Sequence, residues 1–144
     1  MKDRILIIGA GGQISTELTQ ELRAIYGTAD VIASDIRENI EVENYLRVDV
    51  TDRASLFECI QNNHITQIYH LAAILSARGE QNPLWAWDIN MSGLINVLEV
   101  GRELKLDRIF VPSTIAVFGI EYDRENTGQF APLIPETVYG ISKV

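Results

Sequence analysis

Short apolar runs alternate with stretches of helical spacing along the chain, and this alternation limits the fold more than any other feature. Arg4 to Ile8 is a run fit for a buried parallel strand and is closed by Gly9. Ile14, Leu18, Leu22 and Ile25 then recur at spacings of four, four and three, with Glu17, Glu21 and Arg23 off that stripe, which predicts an amphipathic helix stopped by Gly27. A second run, VIASD at 31–35, completes a strand, helix, strand unit, and YLRVDV at 45–50 supplies a third strand. Thr51 as N-cap with Asp52 in the first turn opens a helix whose apolar face is Leu56, Phe57 and Ile60. QIYHLAA at 67–73 is a fourth strand and RIFVPS at 108–113 a fifth. Between them one long helix is expected from Pro83 to Lys105, burying Trp87, Met91, Leu94, Ile95 and Leu98, with Pro83 tolerated in its first turn. Strands alternating with helices imply an α/β fold, a doubly wound Rossmann-type parallel sheet flanked by helices. Such a sheet binds ligands at the carboxyl ends of its strands.

The chain's 144 residues fit a single domain, 1–144, and 47% hydrophobic with 22% charged residues is the balance of a globular protein. Twelve Lys and Arg against twenty Asp and Glu give a net charge of −8. That excess argues against nucleic acid as a partner, although backbone amides can still hold an anionic cofactor locally. Cys59 has no cysteine to pair with, and His64 and His70 lack any metal-like spacing, so no metal site is expected. The N-terminal MKDRILIIGA has too few apolar residues for a signal-peptide core or a membrane span. The expectation is a soluble cytoplasmic protein.

Chemistry gathers at the predicted strand ends: Gly9 to Gly12 after the first, Asp35 after the second, Asp49 after the third, Ala72 and Ala73 after the fourth, Ser113 and Thr114 after the fifth. Glycines let the backbone approach a pyrophosphate and aim helix-terminal N–H groups at it. Asp35, 23 residues after Gly12, stands where an acid accepts hydrogen bonds from an adenosine ribose. It would repel a 2′-phosphate and favour NAD over NADP, a preference softened by Arg37. Each piece alone has a plainer explanation: a tight strand–helix turn, a solvated acid, turn hydroxyls bonded to local backbone. In the same way His70 fits a hydrogen-bonded core histidine, Trp85 and Trp87 fit packing, and Cys59 fits the core. The tail from 119 to 137 has no periodicity and fits a substrate-side loop, after which VYGISKV starts a helix. In YGISK, Tyr139 and Lys143 are four apart and would share one helix face. A lysine ammonium beside a phenol favours the phenolate and makes a general base.

The segments GAGGQIS, LRVDVTD, HLAA, WDINMSGLINVLE, PSTIAVFG and YGISK together resemble the extended short-chain dehydrogenase/reductase family across essentially the whole chain. Within it, the wording from HLAA through LEV and PSTIAVFG is most similar to the short-chain-type L-threonine 3-dehydrogenases. The resemblance implies NAD as cofactor, with Gly9 and Gly12 cradling its pyrophosphate beside Gln13 and Ile14, and Asp35 on the adenosine ribose. It further implies that Asp49 and Val50 border the adenine, that Leu71, Ala72 and Ala73 line the groove, and that Asn90 makes polar contacts from the long helix. Thr114, Tyr139 and Lys143 would be the catalytic triad, with Tyr139 and Lys143 also touching the cofactor, and Ser76 would join Thr114 and Tyr139 on the substrate. The implied reaction is oxidation of the C3 hydroxyl of L-threonine to 2-amino-3-oxobutyrate, in a homodimer joined through the long helix around Leu94 to Lys105. A nucleotide-sugar epimerase or dehydratase, and a noncatalytic NAD-binding fragment, remain alternatives.

Two features depart from the family pattern. Ser15 stands where a third glycine is expected. The pattern also continues beyond the lysine into a sixth strand and a substrate-binding lobe, so the fold is expected to be truncated before the last strands and that lobe, as an active-site-bearing fragment, a truncated gene product or one part of a longer chain.

Overall fold

The computed structural model describes residues 3–38, 41–120 and 125–144. Strand β1 (Ile5–Ile8) leads into helix α1 (Gln13–Tyr26), and strands β2 (Val31–Asp35) and β3 (Tyr45–Arg47) follow. Helix α2 (Arg53–Asn62), strand β4 (Gln67–His70) and helices α3 (Ser76–Gln81) and α4 (Pro83–Trp87) come next. A π-helical turn over Asp88–Ser92 joins α4 to α5 (Gly93–Glu103), after which come strand β5 (Arg108–Phe110), a 3-10 turn at Ile115–Val117 and helix α6 (Val138–Ile141). The strands form one parallel sheet in the order β3-β2-β1-β4-β5, with Ile5 level with both Val31 and Gln67. The order reverses at β1, so the crevice for a ligand opens between the carboxyl ends of β1 and β4.

Side-chain alternation in the strands divides the core in two. Leu6, Ile8, Ile32 and Ile68 pack against Leu56 and Ile60 of α2 and Val97 and Val100 of α5. Ile5, Ile7, Val31 and Ala33 face the other way, onto Leu22 of α1. The fourth and fifth strands end earlier than their apolar runs, at His70 and Phe110, and residues 71–74 beyond the fourth line the crevice.

Three helix expectations are corrected. In α1 the buried face is Ser15, Thr19 and Leu22, while Ile14 and Ile25 point to solvent. The N-cap of α2 is Asp52, whose carboxylate accepts the N–H of Ser55 at 3.1 Å, rather than Thr51. The expected long helix is interrupted by the π turn, and it buries Ala86, Asn90, Gly93, Val97, Val100 and Gly101 instead of the larger residues. Trp87, Ile95 and Leu98 are about half exposed. Close packing decides between these two apolar faces: a Cβ on Gly93 would come within 2.7 Å of Val50 Cγ2, and one on Gly101 within 2.5 Å of Ile109 Cδ1. Only the face of glycines and valines can approach the sheet that closely.

His70 is buried as expected, but its Nδ1 has no hydrogen-bond partner among the described residues. Burial, with the charge of Lys143 adding to it, pushes the imidazole down to about 4. An unfolded histidine takes its proton near pH 6.5, so below that pH the unfolded state binds a proton that the folded state refuses. Stability is therefore expected to fall as the pH drops from about 6.5 to 4, by up to about 3 kcal/mol from this residue. Urea titrations across that range should show a shallower fall for His70→Leu than for the parent; equal slopes would contradict it.

Candidate cofactor groove and active site

The glycine loop is built around one close approach. Gly9 has φ +87°, and a Cβ there would lie 2.6 Å from the backbone nitrogen of Ala72, so the loops after β1 and β4 touch where any side chain would separate them. The N–H groups of Gly9 and Ala10 both donate to the Ser34 carbonyl at 2.8 Å, which fixes the loop on β2. Gly12 caps α1 without a side-chain bond, so the N-terminal amides of a 14-residue helix stay open to a ligand.

Ser15 finds its explanation here. It is 2% exposed, and its hydroxyl donates to the Gly9 carbonyl at 2.6 Å, while Thr19 one turn on donates to the Ser15 carbonyl at 2.6 Å. The serine therefore takes the tight helix–strand position and braces the loop that the missing glycine would only have admitted. Ser15→Gly is expected to cost about 1–2 kcal/mol from the lost bond and added backbone entropy. A urea midpoint at or above that of the parent would show the hydroxyl to be dispensable.

A groove of about 350 Å³ runs along the strand ends, lined by Gly9, Gly12, Asp35, Arg37, Asp49, Val50, Leu71, Ala72 and Ala73, with Ile8, Ile36, Val48, Ile74, Trp85 and Ile89 completing it. Gln13 and Ile14 lie exposed on the first turn of α1, outside that lining. Asp35 Oδ2 accepts the N–H of Gly11 at 3.0 Å, and its carboxylate is paired with Arg37. Burial pushes its carboxyl up, but the Arg37 guanidinium and the N–H groups of Gly11 and Arg37 outweigh that and hold it below its ordinary value. Asp49 Oδ1 accepts both the N–H and the hydroxyl of Thr51, at 2.9 and 2.7 Å. Trp85, expected only to pack, is a groove wall.

Thr114, Tyr139 and Lys143, the residues expected to act together, lie outside the groove lining. Thr114 Oγ1 accepts the N–H of Ala116 at 3.3 Å and caps the 3-10 turn, which leaves its hydroxyl proton free to donate elsewhere. Helix α6 sits directly on that turn: a Cβ on Gly140 would collide with the Ala116 carbonyl oxygen. Ser113 Oγ donates to the Lys143 carbonyl at 3.0 Å, tying the fifth strand's exit to the lysine. The helix is regular through Ile141 and tightens at Lys143, whose N–H bonds to Gly140 at 3.0 Å. Burial lowers the Lys143 ammonium from its ordinary value. Ser76 begins α3, the helix that packs against α6.

Asn90 links the groove wall to the turn after α6. Buried at the π turn, it accepts the Ile74 N–H at 2.7 Å, donates to the Ile74 carbonyl at 3.0 Å and donates to Ser142 Oγ at 3.2 Å. Ser142 Oγ in turn donates to the Tyr139 carbonyl at 2.8 Å. Asn90 thus reaches the groove wall through Ile74 and does not line the groove itself. Two residues were missed by sequence reasoning: Ser142, and Glu80, whose carboxylate accepts the Val138 N–H at 2.7 Å and braces the start of α6. Their partners lie 52 and 58 residues away, beyond any local pattern. Among the described residues, no three His, Cys, Asp or Glu side chains gather as a metal site, and no helix is long and apolar enough to cross a membrane.

The glycine cradle, the open helix terminus and the acid at the end of β2 fit a dinucleotide, with its pyrophosphate on α1 and a ribose near Asp35. Residues 5–144 match the NAD dependent epimerase/dehydratase family. An uncharacterized epimerase/dehydratase of Staphylococcus aureus strain USA300 is 45% identical over 98% of this chain, which spans 45% of that relative. Among solved structures, a partial-consensus L-threonine 3-dehydrogenase superposes with a TM-score of 0.92 at 46% identity, over 96% of this chain and 46% of that one. The GalE-like L-threonine dehydrogenase of Cupriavidus necator, in its holo form, gives 0.93 at 45% over the same shares. The UDP-glucose 4-epimerase of Thermus thermophilus, in complex with NAD, gives 0.86 at 25% over 97% of this chain and 47% of that one. The chain therefore spans less than half the length of these relatives. Helix α6 ends at Ile141, so Lys143 lies in the turn beyond it, and the regular helix it was expected to share with Tyr139 does not form. With its parallel sheet and glycine cradle, the chain belongs to the NAD dependent epimerase/dehydratase family, the extended short-chain dehydrogenases/reductases.

Proposed function

We propose that the chain is the cofactor-binding part, with the catalytic groups, of an NAD-dependent dehydrogenase that oxidises the C3 hydroxyl of L-threonine to 2-amino-3-oxobutyrate. The observation that carries this reading is the contrast on one shared fold: identity to the threonine dehydrogenases is 36–46%, against 25% to the UDP-glucose 4-epimerase of Thermus thermophilus. In this reading Gly9 and Gly12, with Gln13 and Ile14 at the helix start, hold the pyrophosphate. Asp35 takes the adenosine ribose, Asp49 and Val50 border the adenine, and Leu71, Ala72 and Ala73 line the groove. Asn90 keeps the wall at Ile74 in place.

NAD, when bound, accepts the hydride that leaves C3. In this reading Tyr139, as the phenolate, takes the proton of the C3 hydroxyl, and Thr114 donates a hydrogen bond to that C3 oxygen. Lys143 places its ammonium beside the phenol and the nicotinamide ribose, and Ser76 contacts the substrate. The part-exposed apolar stripe of Trp87, Ile95 and Leu98 supports a homodimer through the long helix. A cytoplasmic location goes with the reading.

NADH absorbance with L-threonine, and separately the conversion of UDP-galactose to UDP-glucose, measured on this chain and on a form spanning the length of its relatives, tests the substrate. NADH formation from L-threonine in the longer form supports the reading. Epimerisation of UDP-galactose without it would favour the nucleotide-sugar alternative, and NAD binding without either would leave a noncatalytic NAD-binding protein.

A further inference from the structure

Helix α6 is capped twice. Thr137 is the ordinary N-cap, its Oγ1 accepting the Gly140 N–H at 2.9 Å. Glu80 Oε1 reaches across from α3 to accept the Val138 N–H at 2.7 Å. A helix of four residues sums few peptide dipoles, so a neutral acceptor would serve that N–H as well as a carboxylate does. The cap therefore leaves the charge of Glu80 unexplained. Among the described residues nothing donates to its second oxygen, Oε2, and no Lys or Arg pairs with it.

Placement gives that oxygen its neighbours. Ser76 and Glu80 are four apart on α3 and share a face, and the bond to Val138 turns that face toward α6. The helix is seated from its other side on α4, where a Cβ on Gly79 would lie 3.5 Å from Ala86 Cβ. Against α6 also stands the 3-10 turn that Thr114 opens, with the Ala116 carbonyl close on Gly140. Glu80 is exposed, so its carboxylate stands at the open edge between α3 and α6. Its partner residue Val138 immediately precedes Tyr139.

We propose that Glu80 determines specificity for an α-amino acid, its free oxygen accepting the ammonium group carried on the carbon beside the one that is oxidised. The inference rests on the threonine reading above and deepens it. With Ser76 and Glu80 on one side of Tyr139 and Thr114 on the other, the hydroxyl and the ammonium of one small substrate are answered by different elements. An ammonium on a carboxylate makes a charge-assisted bond, whereas a nucleotide sugar presents hydroxyls and no cation at that position.

The longer form, assayed with L-threonine as substrate and (R)-3-hydroxybutyrate as competitor, tests this. The competitor has the same carboxylate and the same configuration at C3, and it lacks only the ammonium. In the parent its inhibition constant should exceed the KM for L-threonine by at least about tenfold. Glu80→Gln keeps an acceptor for the Val138 N–H and replaces the free oxygen with an amide donor. It should raise the KM for L-threonine at least about tenfold and close the gap to the hydroxy acid, with kcat changed by less than about threefold. Absence of the gap in the parent, its survival in Glu80→Gln, or a loss confined to kcat overturns the proposal. Each of these leaves the threonine reading standing, with Glu80 only a brace of α6. A parent that does not oxidise L-threonine overturns both.

Discussion

Tyr139→Phe is expected to lower NADH formation from L-threonine by about 10²- to 10⁴-fold, the range that a positioned general base contributes. The substitution removes one oxygen and leaves the ring on α6 in place. The supports of that helix use the backbone of Tyr139, not its phenol: Ser142 bonds to its carbonyl, Glu80 to the Val138 N–H and Thr137 to the Gly140 N–H at 2.9 Å. Folding and the groove at the other end of the network should therefore survive, and NAD binding should stay nearly intact. The longer form, assayed for turnover and for NAD binding together, separates the two effects. Comparable turnover in the variant would remove Tyr139 from its role, and equal losses of turnover and NAD affinity would make it a binding residue rather than the base.

How far the sequence foretells this arrangement depends on the range over which each part is determined. Strand β1 and the start of β2 are legible because parallel strands covered on both faces are mostly apolar, and Ile5 to Ile8 and Val31 to Asp35 are buried at every position. The glycine loop and Asp35 are legible because strand ends converge in a doubly wound sheet. The inward face of α5 is not legible by periodicity, since Leu94, Ile95 and Leu98 form as good a stripe as Val97, Val100 and their glycines. The distance between helix and sheet selects the smaller set, and that distance is a property of the assembled fold. The same limit hides Ser15's function. A serine in a glycine's place looks like a defect until the Gly9 carbonyl is seen 2.6 Å from its hydroxyl.

Asn90→Leu is the second substitution with a large expected effect, because a single side chain answers three polar groups from two segments. Ile74 offers both its N–H and its carbonyl to the Asn90 amide, at 2.7 and 3.0 Å, in a pairing that substitutes for the strand ladder the chain has just left after His70. Ser142 uses the remaining amide proton. Leucine is of similar size but answers none of them, so buried donors and acceptors lose their partners at about 1–3 kcal/mol each, partly relieved by relaxation toward solvent. A net loss of about 3–4 kcal/mol is expected in urea denaturation, a large share of a domain's total stability. Asn90→Asp distinguishes this account from a simple packing defect: it retains the acceptor for the Ile74 N–H but removes both donors and buries a charge, so it should be at least as damaging despite its near-identical shape. Because Ile74 belongs to the groove wall and Ser142 to the turn of α6, a folded fraction of either variant should lose NAD affinity and turnover together. Tyr139→Phe should lose turnover alone, so the two variants report separately on the frame and on the chemistry it holds.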